Sequence, residues 1–157
     1  MAALRLTVSI IFPSTRGFTP ENRAAVQGAR RQAAADLRAA LNDIRRKVRA
    51  EGPRRTGQLR RSARVRRERA IEPGAITLSL TVNRFWASFT NDSGATAGWW
   101  DRAIDGIDIR LEIIGRDILA KIGEVFLREQ TRALIRGLRR ALPRPRGNPL
   151  VSFFFAS

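Results

Sequence analysis

The sequence contains neither cysteine nor histidine. The first absence excludes disulfides, thiolate metal sites and cysteine nucleophiles. The second removes the commonest general base, most zinc sites and every Ser-His-Asp triad. Serines and threonines are present, but no standard activating base accompanies them. No apolar run approaches the ~20 residues needed to span a bilayer, and no signal-peptide pattern opens the chain. No Walker-type loop occurs, because Gly94 and Gly98 lack the strand–glycine–helix context that cradles phosphate. Together these absences point away from an enzyme, a resident metal or cofactor, and a membrane. They leave a cytosolic or virion-type protein.

Lysine is nearly absent as well. Of 30 basic residues only Lys47 and Lys121 are lysine, and 14 acids oppose them, for a net charge of +16. Arginine suits bidentate contacts to carboxylate or phosphate and tolerates interfaces better than lysine. A GC-rich genome explains a preference for arginine over lysine equally well, but not the excess of bases, which implies a polyanionic partner. The charge is concentrated. Residues 44–69 hold twelve bases and two acids, and residues 131–157 hold six bases and no acid. The stretch between them is close to neutral.

The 157 residues, 43% of them hydrophobic, fit one domain. A fold of this size buries about 70% of the surface its unfolded chain exposes, so a core without staples is feasible. Residues 4–12 alternate Leu4, Leu6, Val8, Ile10 and Phe12 with polar neighbours, the period of a half-buried strand. Thr19-Pro20-Glu21 is a helix start, with a capping side chain, a proline at the first helical position and an acid near the positive end of the dipole. Val26, Ala29, Ala33, Leu37, Ala40, Leu41, Ile44 and Val48 then recur at helical spacing up to Gly52-Pro53. Residues 54–60 read as a loop or the start of a strand, and 61–71 as an arginine-studded strand. Glu72-Pro73-Gly74-Ala75 fits a type II turn. Ile76, Leu78, Leu80 and Val82 form the apolar side of the second hairpin arm. Residues 84–89 fit a continued strand or a short helix, and 91–98 a loop. From Ile104 a helical period runs to Leu138, with a kink or break expected at one of Gly106, Gly115, Gly123 and Gly137. Pro143 and Pro145 stop it.

Asp101, Asp105, Asp108 and Glu112 recur at spacing that places carboxylates on one helix face, as a metal site needs. An acidic first turn, or ion pairs with Arg102 and Arg116, explains them more simply. No metal is therefore assigned. The basic block at 44–69 suits non-specific DNA binding by counterion release. No helix-turn-helix, zinc finger or RNA-recognition signature surrounds it, and the aromatics lie outside it. A solvated charged face is the plainer alternative.

Pro53, Thr56, Gly57, Leu59 and Ser62 spell P-x-x-T-G-x-L-x-x-S directly after the long helix. A hairpin follows, then Phe85-Trp86-Ala87-Ser88-Phe89, a glycine-containing loop, and Trp99-Trp100-Asp101-Arg102-Ala103 leading into the last helix. This order resembles the neck or tail-completion family of long-tailed bacteriophages, also described as minor tail or virion morphogenesis proteins. Asn91-Asp92-Ser93-Gly94 stands where that family has an acidic residue and a Gly-Thr pair, and Trp99-Trp100 replaces its Pro-Phe.

The expected fold is α+β, with a small antiparallel sheet (the N-terminal strand plus a β-hairpin) packed against two long helices. Residues 1–142 form the domain, and 143–157 a Pro/Arg-rich then Phe-rich tail that docks on the core or on a neighbouring subunit. The resemblance implies a structural virion protein, assembled in the host cytoplasm and without enzymatic activity. It forms a homo-oligomeric ring, six copies on the tail axis, that joins the head connector to the tail. A tail terminator ring and a basic, sequence-independent DNA-binding protein are the alternatives. Arg54, Arg55, Arg60, Arg61, Arg64, Arg66 and Arg67 are candidate contacts to an acidic protein ring or to double-stranded DNA in the lumen. Trp99, Trp100, Phe153, Phe154 and Phe155 are candidate inter-subunit contacts.

Overall fold

The computed structural model describes residues 4–53, 57–70, 72–82, 87–92 and 97–141. Strand β1 (Leu4–Ile11) is followed by helix α1 (Pro20–Glu51), a short helix α2 (Gln58–Ser62), strands β2 (Ala63–Arg67) and β3 (Ala75–Val82), short helices α3 (Ala87–Asp92) and α4 (Trp99–Ile104), and the long helix α5 (Ile107–Ala141). The strands form one antiparallel sheet in the order β1-β3-β2. The expected α+β architecture is what the chain adopts.

The sheet has two unlike faces because side chains alternate along a strand. Ile76, Leu78, Leu80 and Val82 of β3 point to one face with Val8 of β1 and Ala63 of β2, and all are buried. Helix α1 covers this face with Val26, Ala29, Ala33, Leu37, Ala40, Leu41, Ile44 and Val48, the whole set its period predicted. The small alanines let the helix lie close to the sheet. Thr19 caps α1, its Oγ1 accepting the Asn22 N–H at 3.3 Å.

Helix α5 runs antiparallel to α1 and packs along it. Arg110 meets Asp43 at 2.5 Å near one end, and Phe126 meets Phe18 edge-on at 4.9 Å near the other. The hydrogen bond and positive charge of Arg110 hold the Asp43 carboxyl below its ordinary range, with Arg46 adding to the effect. Ile107, Ile114, Ile118 and Ile122 supply the buried side of α5. From residue 130 onward every residue of the helix is exposed.

The type II turn forms as expected. Ala75 N–H donates to Glu72 O at 3.1 Å, and Gly74 takes φ +86. A Cβ there would also sit 2.8 Å from Phe12 O. The hairpin arm before it is shorter than the 61–71 strand expected from sequence. Residues 58–62 coil into α2, begun by Gly57 at φ +64, because a helical turn is what drives Leu59 into the core while Ser62 Oγ donates back to Leu59 O at 2.7 Å. Leu59 therefore anchors a helix, not a strand. Ile71 and 83–86 lie outside the described residues, and the segment beginning at Ala87 is helical. The expected break in the last helix falls at Gly106, at φ +77, which separates α4 from α5; Gly115, Gly123 and Gly137 sit in unbroken helix.

Candidate functional site

The second face of the sheet faces solvent and carries the concentrated charge. The strand register places side chains in three rows across it. Arg5, Thr81 and Arg64 make the first row, and Thr7, Ser79 and Arg66 the second. Ser9 and Thr77 make the third, with Glu68 beside them, its N–H bonded to Thr77 O at 2.9 Å. Arg61 and Ser62 of α2 close one side. The result is a shallow open concavity of about 600 Å³ lined by Arg5, Arg61, Ser62, Arg64, Arg66, Glu68 and Thr81. Four arginines stand there against one glutamate.

Glu68 organises the floor. It accepts a hydrogen bond from Ser79 Oγ and pairs with Arg5 at 2.9 Å. The Ser79 hydroxyl, followed by the Arg5 charge, holds its carboxyl below the usual glutamate range. At neutral pH it is ionised and neutralises one arginine. Arg64 and Arg66 remain exposed. Such a surface binds oxyanions by charge and by forked N–H donors.

The arginines singled out from sequence thus separate by location. Arg61, Arg64 and Arg66 share the concave face. Arg67 stands on the other side of β2, in line with Ala63 and Val65. Arg60 turns back on α1, donating to Gly52 O at 3.2 Å and to Ala50 O at 3.0 Å. It satisfies carbonyls at the helix C-terminus, where a positive charge is favoured. Arg54 and Arg55 lie outside the described residues, as does Thr56 of the motif. Arg5 was missed from sequence because it is isolated in the chain. Only strand pairing brings it beside Arg64.

Trp99 and Trp100 require a correction. They were expected at a subunit contact, yet Trp99 is 0% exposed and Trp100 6%. The indole N–H of Trp99 donates to Thr90 Oγ1 at 3.3 Å, and the Trp100 N–H to Asn91 Oδ1 at 2.8 Å. Burying two large rings against α1 is worth more to this small core than exposing them. Phe153, Phe154 and Phe155 lie outside the described residues. The acidic residues near α5 serve as local partners. Glu112 pairs with Arg116 at 2.5 Å, and Asp101 accepts from Asn91 Nδ2 at 3.1 Å. Arg102 pairs instead with Glu51 of α1, at 3.6 Å.

Residues 21–92, from the first turn of α1 through α3, match the family model described as "Bacteriophage HK97-gp10, putative tail-component". This segment resembles phage tail proteins of the HK97-gp10-like family. The resemblance first read from Pro53, Thr56, Gly57, Leu59 and Ser62 is thereby borne out over a little under half of the chain. The HK97-gp10-like segment contains α1, α2, β2 and β3, and so Arg61, Arg64, Arg66 and Glu68. Strand β1, with Arg5, and helices α4 and α5 lie beyond it. No curated protein and no solved structure matches the chain. Among the described residues no helix is long and apolar enough to cross a membrane.

Proposed function

We propose that this chain is a structural virion protein at the junction of phage head and tail, where several copies form a ring that joins the head connector to the tail. The observation that carries this reading is the HK97-gp10-like match over residues 21–92. The arginine-lined sheet face supports it chemically. A ring on the tail axis meets DNA in its lumen and acidic protein rings above or below, and both present oxyanions that Arg5, Arg61, Arg64 and Arg66 can fork onto. Six copies is the stoichiometry the resemblance implies. The tail of residues 143–157 supplies apolar side chains, Phe153 to Phe155, for a neighbouring subunit.

The test is made in the virion. Gold label on a tagged copy of this chain is expected at the neck in electron micrographs. Lysates of a deletion are expected to accumulate DNA-filled heads and separate tails. Label on the capsid faces, or intact particles from the deletion, overturns the reading.

A second reading is favoured by one specific feature. The arginines of β1, α2 and β2 converge on a single exposed face, as non-specific duplex binding requires. If DNA binding is the function itself, the protein acts without a ring, and its affinity for any duplex falls steeply with salt. Labelled particles free of neck signal, combined with strong salt-dependent DNA binding, would select this alternative.

A further inference from the structure

Helix α5 is apolar on two opposite sides. Ile107, Ile114, Ile118 and Ile122 face α1. On the side turned away, Ile109, Ile113, Leu127, Leu134 and Leu138 are between 52% and 66% exposed. At 100° per residue these five, with exposed Ala120, fall within a stripe about 40° to either side of one line along the helix. Among the described residues nothing covers it. Large side chains lined up in water over about 44 Å of helix mark a contact surface, not scattered surface leucines.

We propose that this stripe pairs with the same stripe of a second copy of the chain, with the two α5 helices antiparallel about a two-fold axis between residues 123 and 124. The spacing is the first reason. From Ile109 to Ile113, Ala120, Leu127, Leu134 and Leu138 the steps are 4, 7, 7, 7 and 4 residues, the same read in either direction. A two-fold contact demands that self-complementarity, because the same patch must meet itself. Centred between 123 and 124, it brings Ile109 to the level of Leu138 of the second copy, Ile113 to Leu134 and Ala120 to Leu127. The centre is the narrowest part of the stripe. Ala120 and Gly123 are small, and nothing lies within 4 Å of where a Gly123 Cβ would stand, so two helices can approach there.

Charge favours the antiparallel sense. Residues 124–141 of α5 hold five arginines and two glutamates, while 107–123 hold three bases and three acids. Parallel pairing sets the two basic ends side by side, and antiparallel pairing sets each beside a half of no net charge. The two-fold contact is independent of the ring reading, since it uses neither the HK97-gp10-like segment nor the arginine face.

The absence of cysteine makes the test clean. Gly123→Cys in the full chain is expected to form a covalent dimer on mild oxidation. Ile113→Cys alone is not, because its mate in the second copy is 21 residues away along the axis, about 31 Å. Ile113→Cys mixed with Leu134→Cys is expected to cross-link the two variants to each other. By sedimentation equilibrium, Leu127→Glu with Leu134→Glu is expected to halve the mass of the unmodified dimer, with circular dichroism unchanged because both positions are exposed. Efficient self-linking of Ile113→Cys, failure of Gly123→Cys to link, or a wild-type chain that stays monomeric up to its solubility limit overturns the proposal.

Discussion

Glu129 occupies a position that periodicity assigns to an apolar side chain, one turn beyond Val125 on the side of α5 that meets α1. It is 4% exposed. Its carboxylate caps α1 from a distance of 110 residues in sequence, accepting from Thr19 N–H at 3.1 Å, Thr19 Oγ1 at 3.2 Å and Asn22 Nδ2 at 2.5 Å. Arg132 adds a charge at 3.5 Å. The Asn22 hydrogen bond, followed by the Thr19 N–H, holds the carboxyl below its ordinary value. A depressed acid contributes stability that is complete above its unfolded pKa and lost as pH falls through the folded one. Glu129→Gln is therefore expected to lower the melting temperature at neutral pH. The gap between wild type and variant closes as the pH drops below about 4. A gap that persists unchanged in acid would show that shape alone, not charge, matters here. Gly74 supplies a second test at this scale. Gly74→Ala forces a side chain into positive φ and against Phe12 O, and is expected to cost about 1–2 kcal/mol in urea unfolding.

Among the elements, α1 bears most of the core and the polar sheet face bears most of the usable charge. Leu37 sits fully buried in the middle of α1. Leu37→Ala is expected to destabilise by about 2–5 kcal/mol, lowering the urea midpoint without changing the slope. On the sheet, alternation separates the arginines by function. Arg64 and Arg66 share the concave face and Arg67 does not. With duplex DNA, Arg64→Ala and Arg66→Ala are each expected to reduce the slope of log affinity against log salt by about 1. Arg67→Ala changes it less, as fluorescence anisotropy across a salt series can check. Equal slopes for all three would mean that the charge acts as a diffuse field and that the sheet face is no site.

The whole molecule carries its basic face on the sheet and its outward apolar stripe on α5, two surfaces that share no residue. That arrangement lets one copy contact a polyanion and another copy at once. The net charge of +16 opposes self-association, so pairing through α5 is expected to strengthen as ionic strength rises, while DNA binding weakens. Sedimentation and anisotropy on one sample across salt will show both trends. If the two fall together, the apolar stripe does not drive association.

Periodicity alone determined β1, α1, β3 and the core side of α5, because burial of one face imposes its spacing on the residues that face it. The Pro-Gly turn was equally legible, since Gly74 is there for its φ. The tail-protein resemblance was readable from Pro53, Thr56, Gly57, Leu59 and Ser62 because a local motif needs no partner. Tertiary structure alone decided the rest. The residues at 58–62 coil because burial of Leu59 overrides the extended pattern beyond it. Trp99 and Trp100 turn inward because the space between α1 and α4 must be filled. Arg5 joins Arg64, and Glu129 reaches Thr19, through contacts that no local window contains. A one-dimensional pattern fixes which side of an element is apolar, but only packing decides which remote side chain completes a cap, a core or a charged face.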